Sequence, residues 1–264
     1  MTGLEQHVMV SIPHSGLLCP SEISIEDLSE HQQTLAVNNV DWHTDSLYDF
    51  QDLLNNQQIK FPLSQVYINV NRHPDMLDEA VPLALDDFPI YRSGREPSES
   101  HRRFLLSKYH FGYHQSLAAQ KKIFVFDGHS TVTGHTDASG DPVDADIIVS
   151  DFQASAFDPP GGIRTAPEGF LETYCDELEK RFHGTGIRIA RNTTYTSTYG
   201  HVMAAHGWDG QGPRGRKAPL LLQETNEHLY IRNGIPDIYH LEEIRRIFAQ
   251  SLVVMLTRMK SDLI

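Results

Sequence analysis

The sequence predicts an α/β domain built on a mixed, mostly parallel sheet flanked by helices. Three features point there. Short β-rich apolar runs alternate with longer amphipathic segments, several of those runs end abruptly in ionisable residues, and no repeat or linker divides residues 1–264. A single domain over the whole length is therefore expected, long enough for a substantial core.

The expected strands, in order, are "HVMVSIP" (7–13), "SQVYINV" (64–70), "KIFVFDG" (122–128), "DIIVSD" (146–151), "GIRIAR" (186–191) and "PLLLQET" (219–225). Between them lie helical segments at roughly 24–33, 42–57, 98–120, 168–183 and 240–260. The last is the clearest: Leu241, Ile244, Phe248, Leu252, Met255 and Met259 recur every three or four residues as one apolar stripe. Glu242 and Glu243 suit its first turn, where the helix dipole favours acids. Residues 131–165 and 203–218, rich in Gly, Asp and Pro, read as long loops, and loops of that length in a compact domain are often functional.

Composition excludes several classes. A net charge of −13 argues against a nucleic-acid surface or an anionic membrane as partner. Only two cysteines, Cys19 and Cys175, occur and they form no CxxC pair, which fits a reducing compartment. No basic-then-apolar leader and no run near the ~20 apolar residues of a membrane helix is present. A cytoplasmic protein is the expectation. There is no G-x-S-x-G elbow, no phosphate loop and no G-x-G-x-x-G turn. Fifteen histidines, however, make metal chemistry worth testing.

Ionisable residues gather at the expected strand ends. His14 and Ser15 follow the first, Asn71, Arg72 and His73 the second, Asp127, His129 and Ser130 the third, and Glu224 closes the last. Parallel strands would bring these ends to one edge, where open α/β sheets bind ligands. A hydrolytic zinc takes three His or carboxylate ligands and leaves a position for water. His14 and His129 supply two, and "NVDWHTDSLYDF" offers Asp41 or Asp45 as the third. Glu224 would then serve as general base, and Arg72 would polarise a carbonyl or hold a carboxylate. Each residue also has an ordinary reading: His14 as a turn residue, Asp41 and Asp45 as helix-cap acids, Arg72 as a structural partner of a buried acid. Glu224 is harder to set aside, because an acid directly after "PLLLQ" must be paired, solvated or functional. Ser15 and Ser130 suit hydrogen bonds to neighbouring ligands.

The motifs "SIPHSG", "DWHTDSLYDF", "NVNRHP", "FDGHS" and "LLQETNEHLY", in this order, resemble the N-formylglutamate amidohydrolases, and they span residues 9 to about 230. That family is similar in fold to zinc carboxypeptidases. The resemblance implies a phosphorylase/hydrolase-like fold, a divalent metal of the zinc kind, and hydrolysis of N-formyl-L-glutamate to formate and L-glutamate in histidine degradation. It implies His14, Asp41 and His129 as metal ligands with Asp45 as the alternative carboxylate, Glu224 as general base, and Arg72 as the carbonyl- or carboxylate-binding arginine. Thr196, Tyr199 and His201 of "NTTYTSTYGH" are implied on the substrate side, the substrate being a small anionic N-acyl amino acid. Arg92 and Arg191 are further arginines able to meet a substrate carboxylate. The carboxypeptidases' H-x-x-E is broken here by Leu17, so the third ligand must come from a later segment.

Overall fold

A computed structural model describes residues 7–132, 135–136, 141–153, 163–193, 201–208 and 217–263. Six strands form the central sheet: β1 (Val8–Ile12), β2 (Gln57–Lys60), β3 (Phe124–Thr131), β4 (Ile147–Ser150), β5 (Ile189–Arg191) and β6 (Leu220–Asn226). Their spatial order is β5-β4-β6-β3-β1-β2. β2, β1, β3 and β6 run parallel, while β4 is antiparallel to β6 and pairs in parallel with β5. The sheet is thus mixed and mostly parallel, as expected.

Strand alternation sorts the core into two layers. Val8, Val10, Ile12, Phe124, Phe126 and Leu221 point to one face, and Met9, Val125, Leu220 and Leu222 to the other. The first face is covered by α2 (Thr44–Leu47) and α3 (Gln51–Leu54), by α6 (Phe170–Arg181) and by α8 (Ile238–Arg258). The stripe expected on α8 is buried there, with Phe248, Leu252 and Met255 inaccessible. Its N-terminus is fixed by Asp237, whose carboxylate accepts from His240 N, so the cap lies before Glu242 and Glu243. The second face carries α1 (Gln32–Asn38) and a long helical stretch made of α4 (Glu99–Leu105), a π-helical turn (Leu106–His110) and α5 (Phe111–Ala119); α7 (His201–His206) packs beside it.

Several expectations are corrected. Residues 64–70 form no strand: Tyr67 N and Ile68 N donate back to Ser64 O, and Arg72 N to Asn69 O. The alternation that reads as a strand is satisfied by burial of Val66, Ile68 and Val70 beneath the second face, where local turns close the backbone bonds. The 24–33 helix shrinks to a short 3₁₀ turn at Ile25–Asp27 before α1, and the 42–57 helix breaks into α2 and α3 before yielding edge strand β2. Residues 203–206 belong to α7 rather than to a loop.

Candidate metal centre at the strand ends

The sheet's second face changes character toward the carboxyl ends of its parallel strands. Ser11 aligns with Asp127, Asp127 with Leu222, and His129 with Glu224, so these side chains share one face. On the opposite face Gln223 and Thr225 are satisfied by tyrosines. Tyr174 donates to Gln223 Oε1 at 2.8 Å, and the Tyr48 hydroxyl lies 2.8 Å from Thr225 Oγ1 while donating to His129 O at 2.8 Å. Tyr48 also explains Gly128: a Cβ there would sit 2.4 Å from the Tyr48 ring. Gly16 is required for a similar reason, since its Cβ would meet Pro62 C at 2.3 Å where the chain leaves β1 beyond His14.

His14, Asp41 and His129 converge. Each is buried, and each offers one ligand atom within 4.8 Å of the others. Asp41 Oδ2 lies 3.2 Å from His129 Nδ1 and 3.7 Å from His14 Nδ1, and the two rings stand 4.9 Å apart at 66°. The remaining ring nitrogens are anchored, His14 Nε2 on Asn69 Oδ1 at 3.0 Å and His129 Nε2 on Asp127 Oδ2 at 3.2 Å. This is how metal-binding imidazoles are held, with one nitrogen fixed by an acceptor and the other turned to the ion. Asp41 is itself placed by its backbone N–H to His14 O and by Ser130 N donating to Oδ2. It is not the helix N-cap the sequence suggested; that position is His43, which offers no side-chain cap. Asp45 faces away, paired with Lys60.

The electrostatics favour a cation. Asp41, Asp127, Glu224 and Glu227 are all buried within this edge, and buried acids are costly without a countercharge. Burial pushes the His14 imidazole down to about 4 despite Asp41, leaving it neutral at pH 7 with a lone pair to give. Burial also acts against a charged His129, but Asp127 and Asp41, with Glu224, outweigh it and hold the ring protonated. A proton there supplies the positive charge that a divalent ion would supply. The donor set, two imidazoles and a carboxylate, suits zinc or a similar divalent metal.

Glu224 is buried on the strand next to His129, close enough to stabilise its charge. Arg72 pairs with Glu79 at 3.5 Å and is near enough to His14 to disfavour its protonation. Arg191 is engaged by Asp176 and Glu179 on α6, and Arg92 donates to Leu28 O at 3.0 Å. His201 begins α7 with its N–H on Asn71 O at 3.1 Å, and its ring packs against His73, His110 and His114. Thr196 and Tyr199 lie outside the described residues. Ser130 makes the supporting bonds expected of it, its Oγ donating to Glu227 Oε1 at 2.9 Å. Ser15 does not: its Oγ is buried without a partner among the described residues.

Asp127 and Asn71 stand among the strand-end residues named from the sequence but without a supporting role, and Asn69 and Glu227 were not singled out. Asp127 sits two positions before His129 on the same strand face, a spacing that could have marked it as an anchor. Asn69 was hidden by the false strand, although an asparagine inside an apolar alternation is a signal. Glu227 accepts from both Ser130 Oγ and Trp42 N, tying the Asp41 segment to the end of β6.

The fold is that of α/β amidohydrolases. It superposes on a crystal structure of N-formylglutamate amidohydrolase from Ralstonia eutropha JMP134 with a TM-score of 0.68 at 18% identity, covering 97% of this chain and 94% of that one. A gene product from Agrobacterium tumefaciens gives 0.63 at 14% identity, covering 98% and 93%. The family model for N-formylglutamate amidohydrolase matches residues 6–231, and the chain belongs to that family of hydrolases. The N-formylglutamate deformylase of Pseudomonas aeruginosa is 26% identical over 128 residues, 43% of this chain and 44% of that protein's length.

Proposed function

We propose that this protein hydrolyses N-formyl-L-glutamate to formate and L-glutamate, with a zinc-class divalent ion held by His14, Asp41 and His129. The observation that carries the reading is the convergence of two anchored imidazoles and Asp41 on one point, with Glu224 on the adjacent strand. The family membership and the Pseudomonas aeruginosa deformylase support the substrate.

When bound, the ion would supply Lewis acidity, lowering the pKa of a water toward ~7 and polarising the amide carbonyl. Glu224 removes the proton from the attacking water as its oxygen bonds to the formyl carbon, and returns that proton to nitrogen as the C–N bond breaks. Arg72 holds a substrate carboxylate or the developing oxyanion. A local cation is needed for this, because a net charge of −13 offers an anionic substrate no long-range attraction. Asp127 and Asn69 keep the imidazoles aimed, and Thr196, Tyr199 and His201 belong to the substrate side. The reaction would serve histidine degradation in the cytoplasm; among the described residues no helix is long and apolar enough to cross a membrane.

The test is formate release from N-formyl-L-glutamate, before and after chelation, compared with acyl release from the N-acetyl and N-succinyl analogues. Chelator-sensitive formate release exceeding the other two is expected. Comparable or faster turnover of an analogue would reassign the substrate, and chelator-insensitive turnover would remove the metal.

A further inference from the structure

A second group of histidines lies on the same face of the sheet; of its members only His201 has a role above, on the substrate side. His110 closes the π-helical turn, His114 follows one turn later on α5, and His201 and His206 bracket α7. His110, His114 and His201 each offer a ring nitrogen within 4.8 Å of the others. Ring centroids are 4.7 Å apart for His110 and His114, 5.2 Å for His110 and His201, and 4.6 Å for His114 and His201.

Their tautomers follow from the backbone. His110 Nε2 lies 2.8 Å from Arg72 O, and His114 Nε2 lies 2.8 Å from Val70 O. A carbonyl only accepts, so both Nε2 atoms carry the proton and both Nδ1 atoms of the neutral rings carry lone pairs. His114 Nδ1 receives the Nε2–H of His206 at 2.9 Å. His110 Nδ1 is buried and has no hydrogen-bond partner among the described residues, in a residue with no solvent exposure. A histidine network built only for packing would put a donor on that lone pair, since buried polar atoms are otherwise satisfied. Two imidazoles at i and i+4, each with Nε2 pinned to a main-chain carbonyl, are arranged as metal ligands are, and π turns within helices frequently mark functional sites. Burial and mutual crowding disfavour protonation of all four rings.

We propose that His110, His114 and His201 form a second, all-imidazole site for a zinc-class transition metal, with His206 adjacent. His206 holds the His114 lone pair that the ion would take, and stands next to the site as a further nitrogen donor. A neutral nitrogen set selects borderline ions such as Zn²⁺ or Co²⁺ over Mg²⁺ and Ca²⁺, which require oxygen. Asn71 touches both centres: its Nδ2 lies 3.5 Å from His129 Nε2, while its O and Oδ1 accept from His201 N and Val202 N. The inference does not depend on the reaction proposed above.

The full-length protein is stripped by chelation, titrated with Co²⁺ and with Zn²⁺, and bound metal is counted per chain after desalting. The expected result is one equivalent that survives His129→Ala but is lost, or bound at least ~10-fold more weakly, in both His110→Ala/His114→Ala and His201→Ala. His201 is partly exposed at a helix start, so His201→Ala tests the site even if the double variant fails to fold. X-ray absorption of Zn²⁺-loaded His129→Ala should show imidazole ligands only. The proposal is overturned if no equivalent survives His129→Ala, or if the surviving one is unaffected by His201→Ala. Reading the two arms separately distinguishes its failure from failure of the His14–Asp41–His129 centre, which His129→Ala alone reports.

Discussion

Asp127 shows what one side chain decides at this edge. It is fully inaccessible, accepts from Ser11 Oγ at 2.6 Å, and anchors His129 Nε2. Replacing it by asparagine keeps the shape but removes the charge that orients and enriches the imidazole. Asp127→Asn should therefore weaken metal binding by ~10–100-fold, measured by competition with a chromophoric chelator. Glu224→Gln separates chemistry from assembly, because glutamine fills the same space without a basic oxygen. It should lower kcat for formate release by ~10²–10⁴-fold while metal content and thermal midpoint stay near wild type. Loss of metal in this variant would place Glu224 among the ligands. At this scale the sequence was informative for the residues proposed to hold the ion: His14, His129 and Asp41 converge, whereas Asp45 pairs with Lys60. It was poorer for the acceptors behind them: Asp127 shares a strand face with His129 two positions on, but Asn69 has no such spacing and is identified only because the chain brings it to the His14 ring.

Among the elements, β3 carries the most constraint. Its backbone is clamped between β1 and β6, and the Tyr48 ring packs directly against Gly128. Gly128→Ala forces either the tyrosine or the strand to move, and Tyr48 is also the hydroxyl that holds His129 O. A loss of ~1–3 kcal/mol in urea unfolding is expected, typical of an overfilled core, together with weaker metal binding. Unchanged stability would mean that Tyr48 repacks freely. The long helix α8 was legible because its buried stripe, Leu241 to Leu256, runs unbroken for about four turns over the core. Residues 64–70 were not. Period-two burial arises whenever alternate side chains find apolar neighbours, and there the backbone closes turns on Ser64 and Asn69 instead of pairing with a strand. Tertiary burial overrode the local pattern.

For the molecule as a whole, buried neutral histidines set the acid response. In the metal-free protein His14 and His114 titrate near 4 and His206 near 3, all below the ordinary 6.5, and burial is the leading cause. Between pH 6.5 and about 4 the unfolded chain binds protons that these native rings refuse, so stability rises with pH across that window. The contribution is full above 6.5 and disappears as pH falls through it. His129, held protonated, acts in the opposite sense but is a single group. The thermal midpoint of chelated protein should drop steadily from pH 6.5 to 4.5. Zinc should flatten that slope on the neutral side, where the ligands remain deprotonated. A profile independent of pH would mean that these rings are solvated.

The reversal of β4 against β6 has a topological corollary. Because β4 runs opposite to the strands that end at the metal centre, the chain arrives at the reactive rim where β4 begins, as Asn226 N on Asp146 O records. It departs from the far rim, where Thr165 receives the N–H of Leu220 at the start of β6. Extra residues spliced in just ahead of Asp146 would crowd the sheet edge that carries His129 and Glu224. The same length added after Asp151 would emerge behind the sheet and leave turnover untouched.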